Sequence, residues 1–290
     1  MKVCGFTFVR NAVKFDYPFE EAIRSILPIC DEVIVAIGNS EDDTLERVKA
    51  IDPKITVIET IWDETLREGG KVLAAETNKA FQFIPSFYDW AFYIQGDEVV
   101  HEKYLAVIKK GMQEFLNQPN VDGLLFDYLH FFGSYDYVGL KYSWYRKEIR
   151  VIRNNKNIFS YKDAQGFRKD INQKLLVKSI DASIFHYGWV REPKALQGKE
   201  KSKIRFYQND SWIRKNFSSS DKYEYDSMLE PLRKFTESHP QVMKERIAKQ
   251  NWTFNPDLSL KYSSFKDKFK RVVGELTGWY PGEYKNYKRI

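Results

Sequence analysis

The amino-acid sequence predicts an α/β fold: a mainly parallel sheet flanked by helices, followed by a mostly helical C-terminal extension. Three observations carry this. Over the first 130 of 290 residues, short apolar runs alternate with segments of helical period. The run Val33, Ile34, Val35, Ala36, Ile37 is apolar without interruption, as in a parallel strand covered on both faces. The helical segments between the runs have the length that βαβ crossovers need.

Taken in order, residues 3–9 read as the first strand. Asp16 and Pro18 mark a helix start, and Phe19, Ala22, Ile23, Ile26 and Leu27 recur at i, i+3, i+4, i+7 and i+8 until Pro28 closes the helix. After the strand 33–37, Gly38-Asn39 turns the chain. Ser40 with Asp43 resembles an acidic N-cap for the helix that carries Leu45 and Val48. Pro53 breaks that helix, and 55–58 is a third strand. A helix over 71–81, a strand over 90–94, a helix over 104–116 and a strand over 123–129 continue the alternation. After Phe132 the texture changes, with Gly, Tyr and Trp concentrated in 133–147. Strands are expected over 149–152 and 174–177, with Asn154-Asn155 as a turn. From about 194 the chain reads as polar helices ending in a basic, aromatic tail over 261–290. There is no internal repeat, and the organisation predicted is a domain over 1–195 with an extension over 196–290.

Composition narrows the function. With 43% apolar and 30% charged residues the chain is an ordinary globular one, long enough to bury a sizeable core. Lys and Arg number 46 against 40 Asp and Glu, a net charge of +6. That excess suits a phosphate-bearing ligand or an anionic surface and does not resemble a nucleic-acid-binding tail. Cys4 and Cys30 are too few for a disulfide framework or a cysteine zinc site, so a reduced, cytosolic protein is expected. The N-terminal apolar stretch is short for a signal peptide, and no run approaches the roughly 18 residues of a membrane span. Asn209, Asn216 and Asn251 head Asn-x-Ser/Thr triplets, which matter only in a secreted chain. Aromatic residues, 16% of the chain, fit sugar stacking, base stacking or core packing alike.

In a parallel α/β sheet, ligands bind beyond the carboxyl ends of the strands. No G-x-G-x-x-G follows the first strand and no G-x-x-x-x-G-K-[ST] occurs, which disfavours dinucleotide binding and P-loop phosphoryl transfer. The residues that do follow strands are Arg10-Asn11, then Gly38 to Asp43 in sequence, then Gln95-Gly96-Asp97-Glu98. The last segment places carboxylates at the sheet edge, where Mg²⁺ or Mn²⁺ takes oxygen ligands; an acidic helix N-terminus would use the same residues.

Phe8-Val9-Arg10-Asn11, the segment 31–44, the Thr77-Asn78 pair and Gln95-Gly96-Asp97-Glu98, in this order and spacing, resemble a family 2-like glycosyltransferase over roughly residues 1–190. The resemblance implies a GT-A, Rossmann-like fold, with the nucleotide-sugar donor over 1–130 and the acceptor over 131–195. It also implies an inverting transfer with Mn²⁺ or Mg²⁺ as cofactor. The donor would be lined by Val9, Arg10, Asn11, Gly38, Asn39, Asp42, Lys71, Asn78, Gln95, Gly96 and Asp97. Lys71 and Asn78 are seven apart and share a helix face. Asp97 would hold the metal, with His186 as its second ligand.

Three positions depart from that pattern. Ile37-Gly38 stands where such enzymes carry an Asp that contacts the base, Gln95 replaces the first acid of D-x-D, and Thr77 replaces an Arg. Gln95 can still hydrogen-bond a ribose as a neutral amide.

Asp163, in the polar loop 161–168, falls where related inverting transferases place their general base, with Glu148 and Asp127 as alternatives. The aromatic and basic cluster Tyr142, Trp144, Tyr145, Arg146, Trp189 and Arg191 suits an acceptor, through Trp144, Arg146, Trp189 and Arg191. His101, His130 and His239 read as structural. The tail places Lys266, Lys268, Lys270 and Arg271 among Phe265, Phe269, Val272 and Val273. Its apolar face is expected to dock on its own domain; the other reading rests it on the inner face of an anionic membrane. The expected function is sugar transfer to a glycan or lipid-linked acceptor in polysaccharide biosynthesis, with no nucleic-acid partner. A non-catalytic nucleotide-sugar or glycan-binding protein on the same fold is the alternative. A polyanion binder ranks last, because acids are interspersed among the bases.

Overall fold

Strands β1 (Val3–Val9), β2 (Glu32–Gly38), β3 (Ile55–Thr60) and β4 (Trp90–Tyr93) lie parallel in the order β3-β2-β1-β4 in a computed structural model. The structure describes residues 1–63, 65–66, 68–140, 144–208, 212–213, 215, 223–225, 231–259, 265–277 and 280–290. Tyr142, Asn209, Asn216 and Lys261 lie outside the described residues, as do the side chains of Phe265, Lys266, Lys268 and Arg271. Successive side chains of a strand face opposite sides. Val33, Val35 and Ile37 therefore enter one core and Ile34 and Ala36 the other, which is why the run is apolar throughout.

Helices complete the two cores. α1 (Phe19–Ile26) and α4 (Leu105–Glu114) cover one face with Phe19, Ile23, Ile26, Ile108 and Met112. α2 (Thr44–Lys49) adds Val48 to the same side. α3 (Lys71–Phe83) covers the other face with Ala80 and Phe81, against Phe6 and Tyr93. Each large apolar side chain buried this way contributes about 1.5–3 kcal/mol.

The sheet continues past β4. β8 (Lys147–Arg153) runs antiparallel between β4 and β6 (Gly123–Phe132), and β12 (Leu176–Trp189) lies parallel to β6. The short strand β5 (Glu98–Val100) pairs with the far end of β12. The result is a mixed, mostly parallel sheet flanked by helices, as predicted. β9 (Ile158–Tyr161), β10 (Gly166–Lys169) and β11 (Gln173–Lys174) form a separate antiparallel sheet. The strand expected over 174–177 straddles the end of β11 and the start of β12, which is much longer. β12 passes through exposed Ser179 and Asp181 and carries two register shifts against β6, so its period of two is broken and its length is hidden in the sequence.

Beyond β12, Glu192 caps α5 (Pro193–Ile204) by accepting the Lys194 and Ala195 N–H groups at 2.9 and 3.0 Å. Phe235 and Met243 then pack with Phe131 and Tyr187 in a third core. β7 (Tyr137–Gly139) pairs with β13 (Leu232–Lys234), and β14 (Lys288–Arg289) pairs with the start of β12. Two further helices are α6 (Lys244–Ala248) and α7 (Phe265–Thr277). Of the apolar residues expected to dock, Val273 is half-buried, whereas Phe269 and Val272 are exposed, which corrects the expectation for those two. Phe269, Val272 and Leu276 are spaced i, i+3 and i+7 on α7 and are 69%, 53% and 81% exposed. Among the described residues no helix is long and apolar enough to cross a membrane. Cys4 and Cys30 are buried free thiols.

Candidate active site

A cleft of about 1150 Å³ opens at the carboxyl ends of β1 and β4 and is walled by the later turns of α5. Its first wall is the turn after β1. Asn11 adopts a left-handed φ of 50°, and its side chain and backbone tie this turn to the one after β2. The Asn11 N–H donates to Ser40 Oγ at 3.0 Å, and its Oδ1 accepts the Glu41 N–H at 2.7 Å. Arg10 Nε donates to the Asn39 carbonyl at 3.2 Å, with the guanidinium 5.3 Å from the Trp62 ring centre.

Trp62 accounts for the departure at Ile37-Gly38. A Cβ on Gly38 would lie 2.2 Å from Trp62 Nε1, so only glycine admits the indole there. Trp62 packs between Phe8 and Phe206, and its buried Nε1–H has no acceptor among the described residues.

The floor is the turn after β4. Glu98 is fully buried and bound by Arg150, whose Nε and Nη2 donate to its two oxygens at 2.7 and 2.5 Å. The Tyr128 hydroxyl and the Gln95 N–H also donate to it. With Glu98 so committed, Asp97 alone of the two acids faces the cleft. Its Oδ2 accepts from Lys199 Nζ at 3.1 Å and lies 3.5 Å from Arg191 Nη2; its Oδ1 lies 3.8 Å from His186 Nε2. Burial alone would raise the Asp97 carboxyl, but Lys199, with Arg191 behind it, outweighs this and holds the group below the ordinary carboxylate range. Burial, aided by Arg191, lowers Lys199 to about 8 in spite of Asp97.

His186 and His130 are register neighbours on β12 and β6, with their Nδ1 atoms 3.2 Å apart. His130 Nε2 lies 3.0 Å from the Tyr145 carbonyl and must donate to it. His130 Nδ1 is then an acceptor and His186 Nδ1 a donor, which leaves the His186 Nε2 lone pair facing Asp97. Burial drives His130 down to about 4 and His186 well below its ordinary value, so both rings are neutral at pH 7.

Asp163 enters from the turn between β9 and β10. Its Oδ1 accepts from Gln165 Nε2 at 2.8 Å and its Oδ2 from the Tyr207 hydroxyl at 3.1 Å. Lys162 and Ala164 on either side have left-handed φ values of 55° and 62°, a strain of about 1–3 kcal/mol each, of the kind that clusters at functional sites. Gly70, with φ 70°, lets α3 approach this turn, since a Cβ there would lie 2.6 Å from that of Asp163.

The structure brings Val9, Arg10, Asn11, Gln95, Gly96, Asp97, Trp144, Asp163, His186 and Trp189 together around one cleft. The other expected positions do not line it. Asp42 caps the turn before α2, accepting from Lys14 N and Thr44 N at 2.6 and 3.1 Å. Asn78 brackets β9 through Ser160, donating to its carbonyl at 3.0 Å and accepting its N–H at 2.7 Å. Asn39 gives its backbone to β3 and Arg10, Gly38 lies beneath Trp62, and Lys71 is exposed at the start of α3. Arg146 binds Glu283 at 3.1 Å and stacks on Tyr280, so it secures the tail. Arg191 is fully buried behind Asp97, over the Tyr17 ring. Glu148 is buried beside Arg150, and Asp127 pairs with Lys147; neither reaches the cleft. His130, read as structural, does line it.

The residues missed are Trp62 and the α5 series Lys199, Lys201, Lys203 and Arg205, all of which line the cleft. Four cations in seven residues, soon after Trp189 and Arg191, were the available signal.

The expected metal pair meets a different chemistry. Asp97 and His186 do converge, but among the described residues no three His, Cys, Asp or Glu side chains converge on a metal position. The one carboxylate is already balanced by two cations. These residues do not fit a resident divalent ion.

No family model matches the chain, and no curated protein matches it. Among solved structures it is similar to S. aureus TarS, with 14% identity over 70% of this chain and 39% of that one, at a TM-score of 0.40. It is similar to TarS 1–349 in complex with UDP-GlcNAc at 13% identity, 70% of this chain, 65% of that one and a TM-score of 0.39. Glucosyl-3-phosphoglycerate synthase from Mycobacterium tuberculosis, in complex with Mn²⁺, UDP and phosphoglyceric acid, is similar at 19% identity, 44% and 43% coverage and a TM-score of 0.31. The chain thus spans less than two thirds of the length of each.

Proposed function

We propose that the chain is a GT-A-like inverting glycosyltransferase, moving a sugar from a nucleotide-sugar donor to a hydroxyl of a glycan or lipid-linked acceptor. One observation carries the reading. A single cleft at the carboxyl ends of parallel strands combines six cationic and three acidic side chains with the indoles of Trp62, Trp144 and Trp189. Cations suit a diphosphate, and indole faces suit a base and a sugar ring. The N–H of Trp62 is a buried donor in need of an acceptor, which a base or ribose supplies.

Asp163 is the general base. Of the three acids in the cleft, Asp97 is neutralised and Glu41 is engaged by Lys14 at 2.8 Å. Asp163 accepts only from neutral donors among the described residues, and each of its oxygens keeps a lone pair for an acceptor O–H. Asp163→Asn is expected to lower kcat by about 10²–10⁴-fold with donor affinity retained, read as nucleoside diphosphate release. Turnover at the wild-type rate would remove Asp163 from the chemistry.

The exposed Phe269, Val272 and Leu276 face of α7, with the basic residues around it in sequence, suits an anionic bilayer that presents a lipid-linked acceptor. The Phe269→Glu/Val272→Glu/Leu276→Glu triple variant should stay folded and lose co-sedimentation with phosphatidylserine-containing vesicles. Equal sedimentation of variant and wild type would rule out α7 as the contact.

A further inference from the structure

Resting on the transferase reading, we propose that Lys199, held by Asp97 and Gly188 and backed by Arg191, binds the donor's diphosphate and meets the charge released when the sugar leaves, so that transfer proceeds without a divalent ion. Charge decides this. Asp97 brings one negative charge to the floor, and Lys199 and Arg191 bring two positive ones. Asp97 and Lys199 are each 8% exposed and Arg191 is 0% exposed. Excess charge in a water-poor site is costly until an anion arrives to balance it. A divalent ion between Asp97 Oδ1 and His186 Nε2 would stand beside the Lys199 ammonium and deepen the excess. A diphosphate relieves it.

The donors are also aimed for this. Lys199 Nζ spends two of its three N–H bonds, on Asp97 Oδ2 at 3.1 Å and the Gly188 carbonyl at 2.8 Å, and it lines the cleft. Among the described residues these two acceptors fix the ammonium and leave one donor for a ligand oxygen. Arg191 Nη1 and Nη2 have no hydrogen-bond acceptor among the described residues, and Nη2 faces Asp97 from behind. Arg191 therefore positions Asp97, and Asp97 positions Lys199.

In the transfer, the acceptor oxygen forms a bond to the anomeric carbon as the bond from that carbon to the diphosphate oxygen breaks. The electron pair of the broken bond stays on the diphosphate, and the acceptor proton passes to Asp163. A fixed ammonium next to the oxygen that gains charge is preorganised stabilisation.

The experiment is calorimetric titration of the full chain with UDP, GDP, CDP and dTDP, in EDTA and in Mn²⁺. One nucleotide is expected to bind in EDTA with a Kd within about threefold of its Mn²⁺ value. Lys199→Gln should weaken that binding by about 100-fold and Lys199→Arg by about tenfold or less, with thermal melts confirming that both fold. If Lys199→Gln does not fold, the wild-type comparison between EDTA and Mn²⁺ and the Lys199→Arg titration decide. Binding that appears only with Mn²⁺, or that survives in Lys199→Gln, overturns the inference and leaves the transferase standing. Binding of none of the four in either buffer overturns the transferase reading itself, and this one with it.

Discussion

Glu98→Gln is expected to cost about 3–5 kcal/mol of unfolding free energy, seen as a fall of roughly 10 °C in Tm. Glu98 and Arg150 are both fully buried and joined by two charge-assisted hydrogen bonds. Burial opposes the Arg150 charge, and Glu98 more than restores it. A glutamine in that place turns an NH₂ group toward the guanidinium and strands its charge in the sheet. Glu148 is the internal control. It lies 3.7 Å from the same guanidinium, and burial raises its carboxyl to about 8, with Glu98 adding to the shift. One arginine cannot keep two buried carboxylates ionised, so Glu148 is mostly protonated at pH 7. Glu148→Gln then replaces one neutral group by another and should cost less than about 1 kcal/mol. A larger loss at Glu148 would show that the charge assignment is reversed, and equal losses would show that the two carboxyls are not divided in charge.

This control bears on the site as well as on stability. The Gln95 N–H donates to Glu98 at 3.1 Å, so the turn that presents Asp97 hangs from the buried pair. The motif Gln95-Gly96-Asp97-Glu98 thus divides its acids, one inward to hold the turn and one outward to the cleft. The sequence places both at a strand end, because the apolar run of β4 points there. It does not divide them, because the dividing partner, Arg150, is 52 residues away on β8.

The same distinction runs through the rest of the molecule. β1, β2, β4 and α1 were legible because each buries a continuous face, and burial writes itself into local period. Val9, Arg10, Asn11, Gly96 and Asp97 followed from them, being the residues next to strand ends. β12 was legible only at its start, since exposed positions and register shifts break its alternation. Trp62 and Lys199 belong to the site through tertiary approach alone, the first over the glycine that ends the neighbouring strand β2 and the second from α5. Asn78 shows the converse. Its side chain makes a two-way bracket with the Ser160 backbone, a structural duty that local sequence cannot tell from ligand binding.

Asp97→Asn is expected to destabilise the fold by about 3–5 kcal/mol, measured by urea unfolding at pH 7. Lys199 Nζ at 3.1 Å and Arg191 Nη2 at 3.5 Å share one Asp97 oxygen, and an asparagine takes from two buried cations the carboxylate they share. The pH dependence follows from the lowered Asp97 carboxyl. Its folded value lies below the unfolded value of about 3.9. Its contribution is therefore complete above that pH and is lost as pH falls toward the folded value. Wild type should lose part of its margin over Asp97→Asn below about pH 4. The double variant Asp97→Asn/Lys199→Met should recover more than 1 kcal/mol relative to the sum of the single losses, about what contacting charged residues show in such cycles. If the two losses add, Lys199 and Asp97 do not share a charge balance, and the floor of the cleft is held together by packing.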